Sequence, residues 1–322
     1  MLMLIAFFFV GIFSTIFNRR YSHWTLLLFR IMIRCKRLKR GMKVKFVEHE
    51  GYRFCYFCRG KPGSQPSVLM LHGFSFNKDM WLDTIKLFPK DLHVVCLDMP
   101  GHGETTRLLA ESYTAVNQAK MIHQFVECIG LNQKPFHLVG MSMGGTIAGI
   151  YAAQYPSDVS HLSLLCPPGL RYAADNEFIK HLKELRKSTN SHSNPLVPLT
   201  VKQGERQHAW KSSRVKRPQK QASLCFFLGK GFLDMSSKES RYHLHDSMSK
   251  IRAPAQIIWG REDKVMDPSG AEMLAKAIPA SQVHILKKCG HFITLDRPRK
   301  LSKLLLEFHY SVCGTAENKK MA

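Results

Sequence analysis

An apolar run, Phe136-His137-Leu138-Val139, passes without a linker into Gly140-Met141-Ser142-Met143-Gly144-Gly145, and a stretch rich in Ala and Gly follows to Gln154. Few folds admit this order. A buried strand must stop, the chain must turn sharply, and a helix must begin at once. Glycines at 140 and 144 leave room where a Cβ would collide, so the turn can lift Ser142 off the end of a sheet. Gly-x-Ser-x-Gly alone marks only a tight turn among small residues. The strand before it and the helix after it make Ser142 a candidate nucleophile.

Short apolar runs of the same kind recur along the chain. Residues 68–71, 93–97, 161–165, 255–259 and 282–286 read as buried strands, and residues 44–48 and 52–59 as an antiparallel start around His49-Glu50-Gly51. Residues 116–129, 143–154, 269–277 and 300–309 read as helices; in the first, Ala119, Ile122, Val126 and Ile129 share one face. The alternation predicts a mostly parallel sheet with helices on both faces, built from residues 44–166 and 251–312. It stops between Pro167 and Lys250, so residues 167–250 are predicted to form an inserted lid or cap; within them 201–232 is polar, basic and poorly periodic. Residues 313–322 are predicted to be a disordered tail.

A serine needs a base, and the base needs an orienting acid. Downstream of Ser142, the strand over 256–259 ends in Gly260-Arg261-Glu262-Asp263, and the strand over 283–286 leads to Cys289-Gly290-His291-Phe292. Both stretches lie just past carboxyl ends of strands, where open α/β sheets bind ligands. The order serine, acid, histidine then points to Ser142, Asp263 and His291, with Glu262 and Asp267 as alternative acids. For a developing oxyanion, the backbone N–H of Met143 opens the helix, and that of Phe74 follows the third strand in His72-Gly73-Phe74. The expected chemistry is attack of Ser142 on an acyl carbonyl, with His291 moving the proton and Asp263 fixing its tautomer. No cofactor or metal is expected. Cys55 and Cys58 form a Cys-x-x-Cys, but within a strand and without a second ligand pair, and nine dispersed cysteines suit buried thiols in a reducing compartment.

The formal net charge of +23 is concentrated in two places. Residues 18–45 carry ten Lys/Arg and no acidic residue, and residues 201–232 carry eight Lys/Arg against Glu205 alone. No nucleic-acid recognition motif accompanies this charge, which argues against a nucleic-acid partner. The first basic cluster instead follows an uncharged apolar run, residues 1–17, at the short end of a bilayer span. No Lys or Arg precedes that run, while Arg19 and Arg20 follow it, the reverse of a secretory signal. The expectation is a membrane anchor over 1–17 and a basic amphipathic segment over 18–43 against anionic headgroups, with the body of the chain in the cytosol. Nothing in the sequence speaks to oligomeric state.

With these residues placed, the chain resembles the membrane-bound monoacylglycerol lipases of the α/β-hydrolase superfamily. The matching stretches include Met70-Leu71-His72-Gly73-Phe74, Lys78-Asp79-Met80-Trp81, Ser142-Met143-Gly144-Gly145, Gln256-Ile257-Ile258-Trp259-Gly260 and Arg297-Pro298-Arg299-Lys300. The resemblance spans residues 41–195 and 234–312. It implies the α/β-hydrolase fold, the residues Ser142, Asp263 and His291, and hydrolysis of monoacylglycerols or related lysolipids. It further implies a cytosol-facing domain on endosomal, lysosomal or other internal membranes. Residues 201–232 depart from the family's apolar, helical lid. A broader carboxylesterase or lysophospholipase would carry the same three residues, with specificity set by pocket shape and lid; the departure over 201–232 motivates a second alternative, a catalytically weak membrane adaptor. An epoxide hydrolase or dehalogenase would carry Asp at position 142.

Overall fold

The computed structural model describes residues 27–28, 30–108, 110–172, 180, 231, 233–237 and 240–321. The expected anchor over 1–17 and nearly all of the atypical stretch 201–232 lie outside the described residues. The chain divides into two compact units, Met1–Lys43 and Val44–Ala322. In the first, residues 27–28 and 30–39 are helical. Among the described residues no helix is long and apolar enough to cross a membrane.

The second unit is built on an eight-stranded sheet. Its strands are β1 (Lys43–His49), β2 (Tyr52–Arg59), β3 (Val68–Leu71), β4 (Val94–Leu97), β5 (Phe136–Met141), β6 (Val159–Leu165), β7 (Ala255–Gly260) and β8 (Ser281–Leu286), in the order β1-β2-β4-β3-β5-β6-β7-β8. β2 pairs antiparallel with β4, and every pairing from β4 through β8 is parallel. The winding reverses between β3 and β5, because the chain goes outward to β4 and returns on the other side of β3. In such a sheet the strand ends at the reversal open a crevice. β3 and β4, Val-Leu-Met-Leu and Val-Val-Cys-Leu, are buried at every position. A strand covered on both faces reads as a continuous apolar run. β1, at the edge, is mostly exposed and alternates lysine with apolar residues, which blunts edge pairing.

The described helices of the unit include α1 (Ala115–Cys128), α2 (Met143–Gln154), α3 (His243–Ser247), α4 (Gly270–Ala277), α5 (Ile293–Asp296) and α6 (Pro298–Met321). Successive residues of β5 show that helices cover both faces. Phe136 meets Tyr151 of α2, and a Cβ at Gly140 would lie 2.8 Å from that of Ala148 in α2. His137, one residue along the strand, instead meets Phe308 and His309 of α6. This is the period-two alternation of a strand between two layers. The backbone of α6 is helical through residues 313–321. The sequence signal for the helix stopped at His309 because the polar residues that follow carry little apolar periodicity.

The segment between β6 and β7 includes α3, which leads back to the sheet. The described part of its returning limb is tied to α1. Thr114 makes no side-chain cap, and the Ala115 N–H donates instead to Ser240 Oγ at 2.9 Å, while the Tyr113 N–H donates to Asp234 Oδ2 at 2.8 Å. Helix starts leave such N–H groups without partners, so this limb satisfies donors that α1 cannot.

Below the crevice lies a buried ion pair. Lys78 Nζ stands 2.6 Å from Asp98 Oδ2, with side chains 2% and 1% exposed. Asp98 also accepts the backbone N–H of Lys78 at 2.7 Å and of Glu104 at 2.9 Å, so it ties the loops after β3 and β4 together. Burial alone would lower the ammonium's pKa, but the carboxylates of Asp98 and Glu104 hold it above the ordinary lysine value. Removing one partner of such a pair strands the other charge. Lys78→Met should therefore cost about 3–5 kcal/mol of folding stability in denaturant unfolding; a loss below about 1 kcal/mol would show that the pair carries little.

Candidate active site

Ser142 sits between β5 and α2 with φ 53° and ψ −123°, a conformation that L-residues seldom adopt. The strain is imposed by close packing of backbone on backbone. A Cβ at Gly140 would lie 2.2 Å from the Gly144 carbonyl oxygen, and a Cβ at Gly144 would lie 2.4 Å from that of Leu71. Only glycine permits either approach. The turn is pinned on its other side, where the Ser142 N–H donates to the Leu165 carbonyl at 2.8 Å and the Gly145 N–H donates back to Ser142 at 2.8 Å.

The same packing brings the end of β3 to the serine, since a Cβ at Gly73 would stand 3.4 Å from that of Ser142. His72 holds this segment. Its Nε2 accepts the Met99 N–H at 3.0 Å, which leaves the proton on Nδ1 to face the Gly73 carbonyl at 2.7 Å. Burial pushes His72 down to about 4, so the ring stays neutral and keeps that tautomer. His102 packs edge-on against both His72 and Phe74, with centroids 5.2 and 5.7 Å away. In the sequence, His72 is visible only as the first residue of the His72-Gly73-Phe74 stretch expected to carry an oxyanion donor. Its anchoring role depends on Met99, twenty-seven residues later, on a neighbouring strand end.

β7 and β8 supply the remaining groups. His291 Nε2 lies 2.9 Å from Ser142 Oγ, and His291 Nδ1 lies 2.8 Å from Asp263 Oδ2. Asp263 Oδ1 accepts the N–H groups of Val265 at 2.8 Å and Met266 at 2.9 Å, which aims the other oxygen at the imidazole. The two alternative acids are engaged elsewhere. Glu262 accepts the N–H groups of Lys288 at 3.1 Å and Cys289 at 2.8 Å, bonds that lower its pKa and hold the loop leading to His291. Asp267 accepts the Ser269 N–H at 2.9 Å in a local turn. Cys166 approaches the His291 carbonyl, Sγ to O 3.4 Å, and burial raises its thiol well above the ordinary value, so it is a packing group and not a competing nucleophile. At the rim Phe76 and Phe292 pack with centroids 5.5 Å apart, and Phe292 and Leu295 are exposed.

Among the described residues three groups bring possible metal-ligand atoms within 4.8 Å of one another. One, Cys166-Asp263-His291, is the site itself. Another, Cys55-Asp98-Glu104, already has the Lys78 ammonium on both carboxylates. The third, His137-His161-His309, lies at the other end of the strands.

A serine on a strand–turn–helix, facing an imidazole and a carboxylate at the ends of a doubly wound sheet, is the arrangement of α/β hydrolases. The sequence pattern of the alpha/beta hydrolase fold matches residues 66–298, and the chain belongs to that family. Within it, the chain is 51% identical over 307 residues to monoacylglycerol lipase ABHD6 of Bos taurus, covering 92% of this chain and 91% of that protein. It is 48% identical over 315 residues to monoacylglycerol lipase abhd6-B of Xenopus laevis, covering 94% and 93% of the two chains. A solved structure of a bacterial membrane phospholipase A superposes with a TM-score of 0.74 at 26% identity, covering 89% of this chain and 92% of that one.

The strained turn makes a stability prediction separate from activity. Ser142→Ala and Ser142→Gly both remove the hydroxyl, but only glycine relieves the positive φ. The Gly variant should be more stable than the Ala variant by about 1 kcal/mol, the strain less glycine's entropy cost. Equal unfolding midpoints in denaturant would mean that the turn is unstrained.

Proposed function

We propose that this chain hydrolyses the ester bond of monoacylglycerols to a fatty acid and glycerol, with Ser142, His291 and Asp263 as its catalytic residues. One observation carries the chemistry: hydrogen-bond contacts run from Ser142 Oγ through His291 to Asp263, at 2.9 and 2.8 Å. Identity near 50% to monoacylglycerol lipases over nine-tenths of the chain supports the glycerolipid ester as substrate.

In the first half-reaction Ser142 Oγ attacks the acyl carbonyl carbon and its proton passes to His291 Nε2. The carbonyl oxygen becomes an oxyanion, received by the backbone N–H groups of Met143, at the positive end of α2, and Phe74. Collapse of this intermediate breaks the bond to the glycerol oxygen, which takes the proton from His291. Water, deprotonated by the same imidazole, then releases the fatty acid and restores Ser142. Asp263 stabilises the imidazolium and keeps the proton on Nδ1 while the ring is neutral. His72 is a positioning residue, holding the Gly73-Phe74 segment over the serine.

The apolar run 1–17 and the basic residues 18–43 support a membrane anchor with the catalytic unit on the cytosolic side of internal membranes. Exposed Phe292 and Leu295, beside His291, suit a rim that meets lipid. Lysolipids are the second substrate class, favoured by the structural likeness to a membrane phospholipase A.

Ser142→Ala should lower kcat on monoacylglycerol by about 10⁶ and abolish labelling by a fluorophosphonate probe; Asp263→Asn should lower it by about 10⁴. Near-normal turnover in Ser142→Ala would sink the assignment, and failure of the unaltered chain to label would favour the adaptor reading. Assays of the unaltered chain on monoacylglycerols, lysophospholipids and short p-nitrophenyl esters rank the substrates. Deleting residues 1–40 should release the protein from membranes while turnover of short soluble esters persists; continued sedimentation with membranes would assign binding to another surface.

A further inference from the structure

Three histidines that take no part in this chemistry meet in the core. His137 of β5 and His161 of β6 are register partners, and both face α6, where His309 lies against the pair. The rings are 1%, 0% and 1% exposed. His309 Nδ1 lies 3.3 Å from His137 Nδ1 and 3.2 Å from His161 Nε2.

The surrounding hydrogen bonds decide where the protons are. Gln256 Nε2 donates to the Leu304 carbonyl at 3.1 Å, which turns Gln256 Oε1 toward Ser163; Ser163 Oγ donates to it at 3.3 Å. With its proton committed, Ser163 Oγ accepts from His137 Nε2 at 2.8 Å. The neutral His137 ring therefore carries its proton on Nε2 and presents a bare lone pair at Nδ1, toward His309. His161 has an equivalent outer partner, since Ser160 Oγ lies 2.9 Å from its Nδ1, leaving Nε2 for His309. Burial keeps the set neutral, pushing His161 down to about 3, His309 to about 4 and His137 well below the ordinary imidazole value. Three ring nitrogens thus converge, and the one from His137 carries no proton. His309 Nε2 has no hydrogen-bond partner among the described residues, so this ring's polar contacts are those at Nδ1.

We propose that His137, His161 and His309 form a binding site for Zn²⁺ that ties α6 to β5 and β6. Two nitrogens on a tetrahedral zinc at 2.0–2.1 Å are about 3.3–3.4 Å apart, close to both separations seen here. Ligating imidazoles commonly donate their outer N–H to a fixed acceptor, as His137 does to Ser163 and His161 can to Ser160. The His137 and His161 rings are tilted by 30° with centroids 3.9 Å apart, and sharing one ion parts them by roughly 1 Å. The fourth position takes water or a small ligand. His137 lies near the start of β5, five residues before Ser142 and about 16 Å from it, so the ion acts on stability and not on ester chemistry.

The test uses the purified full chain, stripped with a chelator and then titrated with Zn²⁺. The expected result is one zinc per chain, with a melting temperature raised by about 5 °C when zinc exceeds its Kd a hundredfold. His309→Gln and His161→Asn should each lose the bound zinc and the shift while retaining ester hydrolysis in chelator. Undiminished stoichiometry and shift in both variants would overturn the site. Should either variant fail to fold, Co²⁺ on the unaltered chain decides. A tetrahedral visible spectrum at one equivalent, displaced by Zn²⁺, supports the site, and its absence overturns it.

Discussion

Everything at the catalytic edge depends on how closely β5, α2 and the end of β3 pack. The Gly140 and Gly144 positions put backbone where any side chain would overlap it, at 2.2 and 2.4 Å from the nearest carbonyl oxygens. That contact fixes three things together: the angle at which α2 leaves the sheet, the height of Ser142 above the strand ends, and the nearness of Gly73. It also imposes the positive φ at Ser142. Strain of this kind persists only where the surroundings over-determine it. Here β5 is buried at all six positions and α2 at ten of twelve, so the turn has no room to relax.

A serine held so rigidly needs an equally fixed partner, and the two strands that supply it are cross-braced. A Cβ at Gly260 would lie 2.2 Å from the Gly290 carbonyl oxygen, so β7's end and the His291 loop meet as closely as β5 meets α2. Glu262 grips Lys288 and Cys289 through their N–H groups, and Asp296 takes the Gly290 N–H at 2.8 Å. Asp263 is left to serve His291, its own second oxygen occupied by two backbone donors. Adjacent carboxylates thus divide the work: one shapes the loop and the next orients the imidazole.

This division explains what the sequence could and could not reveal. The strands were legible because four-residue apolar runs between glycine-rich breaks have few other uses, and the elbow was legible because it packs strand, turn and helix signals into consecutive residues. Glu262, Asp263 and Asp267 were less separable. All three follow β7 closely, and only the direction in which each side chain leaves the loop distinguishes them. His72, Lys78 and Asp98 were harder still: each looks like an ordinary loop residue until β3 and β4 lie side by side. The helical backbone over residues 313–321 was illegible for a different reason, since a polar stretch shows little apolar periodicity whether or not it is helical.

The histidine cluster combines both kinds of information. His137 and His161 become neighbours through the register of β5 with β6, and His309 joins them only because α6 crosses that face. One strand, β5, thus leads into Ser142 on the catalytic edge and begins beside the imidazole cluster on the opposite one. The two ends make opposite demands. Ser142 is held in a conformation that costs stability, and α6 is the last element to close the sheet, covering β5 and β6 from the far face. An ion bonded to two strands and that helix resists the local opening that would let the catalytic strand relax. In this reading the fold places its source of strain and its clamp at two ends of one strand, far enough apart that the clamp can be filled without touching the chemistry.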